Sequence, residues 1–448
     1  MRNGDRDISR LVEPDRVHRL CYTDPDIFEQ EMERIHESLW VYVGHKSQVK
    51  APGDYYTAQI GRQPMIMVRG KDGEIRVFYN RCPHRGAMLC SDRSGNAGHR
   101  FRCSYHAWMY NFDGTIASIP ATSGYDGTRM NLAEGDAGLK PAARVDNYRG
   151  FYFASLSPDG PDLDTFLGGA TLTFDQLVDR APDGDVEVVG DCFRMIQKSN
   201  WKIFLENQLD VSHPSATHES TGVAAGQVER EMEKRDGRKA PLSYSFISAF
   251  KTPIEDWVKF DTVGHPYGHC FLAGYMGLRP QDPDTVEYET LLKKAHGEEK
   301  GEAILSTDLH HVLVYPSLSV QPPLQQLRAI RPLGVDRTLT EIWHFRLKGA
   351  PEAIYRRALD YYYLVNSPST MVNADDLHNF WKCHQGLSTE GGDWVSLHRN
   401  YGSDSERDGV LYSAPGTMSE MPLRHMMQAW AKYMGAGYMG AGNGGAGG

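Results

Sequence analysis

The chain has 448 residues and a formal net charge of −10, with 40% hydrophobic and 10% aromatic content. An acidic balance with no Lys/Arg-rich block argues against a nucleic-acid or anionic-membrane partner, and no apolar run approaches the ~20 residues that span a bilayer. A charged N-terminus without an apolar h-region, and an odd set of scattered cysteines (Cys21, Cys82, Cys90, Cys103, Cys192, Cys270, Cys383), predict a protein of the reducing cytoplasm rather than a disulfide framework.

In chain order, DPDIFEQEMERIHESLW sets Phe28, Met32, Ile35 and Leu39 at three- and four-residue spacing, which predicts a helix. From Trp40 to Pro158 the pattern changes to short alternating runs such as DYYTAQIG, PMIMVRG and YRGFYFASL, with the hairpin dipeptides Asp72-Gly73 and Asp113-Gly114. That texture predicts an all-β module over residues 40–158, inserted into a larger domain made of 1–39 and 159–434. In the larger domain VEVVGDCFRMIQ, HHVLVYPSLSVQ, LQQLRAIRPLG and RTLTEIWHFRL read as long antiparallel strands. NWKIFLENQLDVS, PEAIYRRALDYYYLV, DDLHNFWKCHQ and MPLRHMMQAWAKYM read as helices. Strand runs with segregated helices predict an α+β fold, helices on one face of the sheet. The Gly-rich tail, 435–448, cannot bury enough surface to fold.

Two loops of the β module each carry one cysteine and one histidine, Cys82-x-His84 and Cys103-x-x-His106. Two thiolates and two imidazoles can close a tetrahedral zinc site. A common zinc finger, however, pairs Cys with Cys and His with His. A Rieske [2Fe–2S] centre puts two Cys on one iron and two His on the other, so each loop must supply one of each. Cys90 lies outside both motifs and is expected to pack. CPHRG and CSYHAW resemble the two loop signatures of the Rieske family, with Ala107 where a glycine usually follows the second histidine.

A cluster that only moves electrons leaves the larger domain unexplained. There, NWKIFLENQLDVSHPSATH places Asp210 and His213 three apart, on one helix face. Pro214 ends that helix near His213, and His218 returns on the following turn. Two imidazoles and a carboxylate form the facial triad that holds non-haem Fe(II), although with 18 histidines in the chain a spaced pair also arises by chance. The run Asn200-Trp201-Lys202, Glu206-Asn207, Asp210, His213, His218 resembles the large subunits of the Rieske non-haem iron oxygenases. MVNADDLHNFWKCHQG resembles the segment that supplies that family's iron carboxylate.

The resemblance runs from about Leu39 to about Trp430. It implies that Asp376, second of a pair of aspartates, joins His213 and His218 on the iron. Asp375 is the alternative, because either could instead serve the dipole at a helix start. His378 and His384 are expected to be surface or supporting residues. The resemblance also implies that Asp210 links histidines of the two centres, the cluster coming from a neighbouring subunit of a trimeric ring.

The implied protein is a terminal oxygenase of the helix-grip type with a deep apolar pocket. It carries one [2Fe–2S] cluster and one Fe²⁺ per chain, in a homotrimer or an α3β3 assembly with a small β subunit. No G-x-G-x-x-G fingerprint stands out, so NAD(P)H electrons are expected through a separate reductase, with or without a ferredoxin. DDLHNFWKC and ENQLDVSH are most similar to the benzoate- and anthranilate-type dioxygenases, which implies an aromatic acid and cis-dihydroxylation. Monohydroxylation or O-/N-demethylation is the second reading, and a non-catalytic Rieske electron-transfer protein the third. A carboxylate in an apolar pocket needs a cation. In LQQLRAIRPLG, Leu327, Ala329 and Arg331 take one strand face and Arg328 the other. Arg331 is the candidate anchor, against the alternatives of an exposed strand arginine or an internal ion pair, and Asn207 is a candidate substrate contact.

Overall fold

The computed structural model describes residues 8–435, apart from 131–136, 211, 254–255, 257–259, 275–276, 278 and 414–415. The tail after Gly435 lies outside the described residues. The chain divides into two units, one of residues 32–163 and one that joins the described residues up to Glu31 to those from Asp164 to Gly435.

The first unit is built from short strands: β1 (Val41–His45), β2 (Asp54–Ile60), β3 (Gln63–Arg69), β4 (Ile75–Tyr79), β5 (Ser94–Asn96), β6 (Phe101–Arg102), β7 (Met109–Tyr110), β8 (Ile116–Ser118), β9 (Arg144–Tyr148) and β10 (Phe151–Ser155). They pair antiparallel in three small sheets, ordered β4-β3-β2-β5, β8-β7-β6 and β9-β10-β1. Gly61, with φ +53°, allows the tight β2–β3 turn. Ile66, Val68, Phe78, Phe101, Tyr110 and Phe112 pack into one core that also takes in Cys82, Cys90, Cys103 and Trp108. The loops after β4 and β6 are thus rooted in apolar packing.

The second unit is α+β. The strands of its main sheet are β11 (Val186–Val188), β12 (Phe193–Gln197), β13 (Asp261–His265), β14 (His269–Gly274), β15 (Leu309–Val314), β16 (Leu318–Gln321), β17 (Gln326–Gly334), β18 (Arg337–Leu347), β19 (Ser405–Arg407) and β20 (Val410–Tyr412). They form one antiparallel sheet in the order β11-β18-β17-β16-β15-β14-β13-β20-β19, with β12 also on β18. Two of the long strands expected from sequence are each split. VEVVGDCFRMIQ breaks at Gly190, φ +75°, into β11 and β12. HHVLVYPSLSVQ folds back on itself around Tyr315-Pro316 as the β15–β16 hairpin, since proline has no N–H for the ladder.

The helices used below are α1 (Pro25–Glu31), α2 (Trp201–Leu209), α3 (Glu219–Asp236), α4 (Leu242–Ser248), α5 (Glu352–Tyr361), α6 (Met371–Leu387) and α7 (Met421–Met434). Helix α2 starts at Asn200, whose side chain accepts the Lys202 N–H. Buried Glu31 of α1 pairs with Lys202, and accepts from Trp201 Nε1 at 2.8 Å and from Trp430 Nε1 at 2.6 Å. Three helices are therefore pinned to one carboxylate. Removing one partner of such a buried pair typically costs about 3–5 kcal/mol. Among the described residues, no helix is long and apolar enough to cross a membrane.

Candidate metal centres and substrate cavity

In the β unit the two Cys/His loops close in the same way. The Gly86 N–H bonds Cys82 O at 2.9 Å and the Ala107 N–H bonds Cys103 O at 3.0 Å. Both fourth positions are left-handed, Gly86 at φ +77° and Ala107 at φ +59°. The thiols of Cys82 and Cys103 are buried, while the imidazoles lie nearer the surface with ring centroids 4.6 Å apart. Trp108 stacks on His84 at 4.7 Å. The Nδ1 of His106 is buried without a hydrogen-bond partner, and burial holds the Cys82 thiol above its usual range. Two buried thiols inside and two imidazoles outside, one of them orphaned, fit a Rieske cluster, whose positive charge would ionise the thiols.

In the second unit the site forms where α2 ends and α6 begins. Helix α2 stops at Leu209, earlier than the sequence reading had it. Asp210 is extended, φ −92° and ψ 108°, and its Oδ1 accepts from the Ser212 N–H at 2.8 Å and the Ser212 hydroxyl at 2.5 Å. That local bonding competes with another helical turn. Asp210 and His213 therefore do not share a helix face. Instead the His213 Nδ1–H meets the Asp210 backbone carbonyl at 2.7 Å, while the carboxylate Oδ2 stays 3.9 Å away. Pro214 opens a four-residue helix that brings His218 round at its end.

Helix α6 also begins four residues before the paired aspartates, so they lie beyond its cap. Asp376 Oδ1 is 3.1 Å from His218 Nε2 and 3.6 Å from His213 Nε2. The three ligand atoms lie within 4.8 Å of one another, a set able to hold one metal ion. Asp375 faces the other nitrogen of His218, with Oδ2 3.6 Å from Nδ1. Two neutral-capable imidazoles and one carboxylate, converging with a side left open, are the donor set of a non-haem iron site. Asn207 Nδ2 sits 3.0 Å from His213 Nε2 and 3.5 Å from Asp376 Oδ1. His378 stacks on Trp381 and His384 is buried on α6, neither among the metal-type group.

A cavity of about 120 Å³ opens beside the triad. Asn207, His213, His218 and Asp376 line it together with Phe246, Phe250, Leu272 and Val365. Arg331 is not part of its wall. That side chain is 3% exposed, and its Nε donates to Glu341 Oε2 at 3.2 Å, Glu341 being shared with Arg194. The internal ion pair is thus its place, on the face of β17 turned from the cavity. The cavity arginine is Arg328, 6% exposed. It donates to Gln326 Oε1 at 2.7 Å, Gln208 Oε1 at 2.6 Å and Gln321 Oε1 at 3.1 Å.

A polar row crosses this inner face. His311 and Gln321 are neighbours at 3.2 Å, Gln321 opposes Gln326 on β16–β17, and Gln326 opposes His344 at 3.1 Å. Burial, and then the Arg328 charge, draws both histidines down to about 3, so they stay neutral. Burial draws Arg328 itself down to about 10, which leaves it charged near neutral pH. Among the described residues no carboxylate lies within ion-pair reach of Arg328. Sequence reading missed Gln208, Gln321 and Gln326. The alternation in β17 was legible, but not which face the cavity takes.

Comparison with known proteins agrees with both units. Residues 39–136 match the family described as the Rieske [2Fe-2S] domain, and residues 181–436 match the ring hydroxylating alpha subunit (catalytic domain). The chain is 34% identical to toluate 1,2-dioxygenase subunit alpha of Pseudomonas putida, over 86% of this chain and 83% of that protein. It is 31% identical to the 2-halobenzoate 1,2-dioxygenase large subunit of Burkholderia cepacia, over 86% and 80%. The structure of naphthalene 1,2-dioxygenase with indole bound superposes with a TM-score of 0.78 at 25% identity, covering 95% of this chain and 93% of that one. The two domains imply a Rieske cluster and a mononuclear iron, with electrons from a separate reductase. The chain belongs to the ring-hydroxylating Rieske oxygenases, as an alpha subunit, the O2-dependent terminal oxygenase component.

Proposed function

We propose that the protein cis-dihydroxylates a single-ring aromatic carboxylate. Arg328 carries this reading. A buried guanidinium held by three neutral carbonyls keeps one N–H free on each of Nη1 and Nη2, and a carboxylate takes such a fork in two bonds. Size argues against more than one ring: the cavity of about 120 Å³ is no larger than the ~150 Å³ of a dry cavity that takes benzene.

In this reading Cys82, His84, Cys103 and His106 hold the [2Fe–2S] cluster, and His213, His218 and Asp376 hold Fe²⁺. When bound, the cluster supplies electrons one at a time and the iron supplies O2 chemistry. The protein supplies position. Arg328 fixes the acid end, while Phe246, Phe250, Leu272 and Val365 surround the ring and exclude water. The Asp210 carbonyl fixes the tautomer of His213 so that Nε2 faces the metal. The partly exposed Asp210 carboxylate is assigned to a Rieske histidine of a neighbouring copy, in a trimer or an α3β3 assembly. A reductase, with or without a ferredoxin, provides NAD(P)H electrons in the cytoplasm.

The test is a single turnover of the reduced holoenzyme with isotopically heavy O2 and a panel of benzoates. Two labelled oxygens in a cis-diol are expected, and Arg328→Met should abolish product from the acids. One labelled oxygen, or loss of a methyl group, would move the protein to monooxygenase or demethylase. No product from any acid would remove the carboxylate reading.

A further inference from the structure

The anchor and the metal site are joined by side-chain amides. Arg328 Nη1 donates to Gln208 Oε1 at 2.6 Å, Gln208 Nε2 donates to Asn207 Oδ1 at 3.1 Å, and Asn207 Nδ2 lies 3.0 Å from His213 Nε2 and 3.5 Å from Asp376 Oδ1. Every link runs the same way, donor to acceptor, from the cation to the metal-facing atoms. Gln208 and Asn207 are consecutive in the last turn of α2, so the helix fixes their spacing. Nothing in metal binding alone requires Gln208, whose amide touches neither histidine nor carboxylate.

We propose that Gln208 is a positioning residue that couples occupancy of Arg328 by a substrate carboxylate to the strength of the metal site. This inference rests on the reading of Arg328 as the acid anchor. Chains of amides polarise one another, more so in a low dielectric. With Arg328 uncompensated, its charge sharpens the Asn207 N–H as a donor, and that N–H occupies the lone pairs of His213 and Asp376 that a metal must take. A carboxylate on the free Arg328 donors offsets the charge, weakens the onward donation and releases those lone pairs. Acid binding therefore strengthens metal binding. By linkage, metal binding strengthens acid binding by the same factor.

The experiment measures benzoate affinity by calorimetry on the full-length protein with its cluster intact, first with the mononuclear site stripped and then with Co²⁺ saturating it. The ratio of the two dissociation constants is the coupling factor. Through-space attraction between anion and metal contributes to it in every variant, so the informative quantity is the change on breaking the chain. Gln208→Leu should lower the factor about fivefold or more. It should also lose the change that benzoate causes in the Co²⁺ d–d absorption of the wild-type protein. Gln208→Met, matched in length, should behave alike and guards against a local folding defect. Equal factors and equal spectral changes in wild type and both variants would overturn the coupling while leaving the acid site standing. Absence of benzoate binding to the wild type in both metal states would overturn the acid reading and this inference together.

Discussion

Asp375 Oδ2 lies 3.6 Å from His218 Nδ1, and Asp376 Oδ1 lies 3.1 Å from the Nε2 of the same ring. Consecutive carboxylates on α6 thus address opposite nitrogens of one imidazole. At 3.6 Å Asp375 makes no hydrogen bond to Nδ1, which is buried without a partner, and acts on the ring through its charge. Where a carboxylate does support a ligating histidine, losing it costs about 10–100-fold in metal affinity. Asp375→Asn should weaken Fe²⁺ or Co²⁺ binding by up to that much, whereas Asp376→Ala, which removes one of the three converging donor groups, should leave protein purified without mononuclear iron. Iron content and a Co²⁺ titration check both. If Asp375→Asn alone stripped the metal, the two roles would be exchanged.

Arg331 and Glu341 face away from the cavity, both about as buried as the core around them. Arg331→Met should therefore leave benzoate affinity unchanged. It should lower stability by about 1–3 kcal/mol, the cost of a lost charged hydrogen bond in the interior. The loss stays moderate because Arg194 also pairs with Glu341. Urea unfolding alongside benzoate calorimetry separates the two effects, and a large drop in affinity with normal stability would return Arg331 to the acid site.

What the sequence made legible follows from how local each feature is. The Cys/His loops are short and their ligands close in sequence, so their spacing alone restricts the cofactor. The alternation that separates Arg328 from Arg331 is equally local. Which of the two faces the cavity depends on how β17 sits between β16 and β18 and on what covers that face, information spread over distant segments. The early stop of α2 was hidden for a different reason. Helical spacing fitted Asp210 and His213, but the Asp210–Ser212 bonds offered the backbone a competing turn. Pro316, between HHVLVY and SLSVQ, is by contrast a local and readable break, because proline cannot donate to the ladder.

Ala107 holds a left-handed backbone where the matching loop has Gly86. That conformation costs a residue with a Cβ roughly 1–2 kcal/mol, and the greater freedom of glycine in the unfolded chain offsets roughly 0.5–1 of it. Ala107→Gly should therefore raise the stability of the holoprotein by up to about 1.5 kcal/mol, without altering the Rieske absorption bands. Thermal unfolding with the visible spectrum as a second probe measures both. A lower midpoint would mean that the Ala107 methyl packs favourably enough to outweigh the backbone.

Glu206, one turn before Asp210 on α2, accepts the Tyr22 hydroxyl at 2.6 Å. Burial pushes its carboxyl up to about 7 from an ordinary 4.5, against the opposing pull of the Tyr22 bond and the Lys202 charge. The sign follows from which state ionises first. Between about pH 4.5 and 7 the unfolded chain has released this proton and the folded chain has not, so the unfolded state binds fewer protons and stability falls as pH rises. The favourable contribution is complete below 4.5 and gone once pH passes 7. Glu206→Gln, which can still accept from Tyr22, has no proton to lose. Relative to this variant the wild type should weaken by on the order of 3 kcal/mol between pH 4.5 and 8. Urea unfolding of both proteins across that range gives the difference curve. A flat curve would mean that water reaches Glu206 and that it ionises as an ordinary surface carboxylate does.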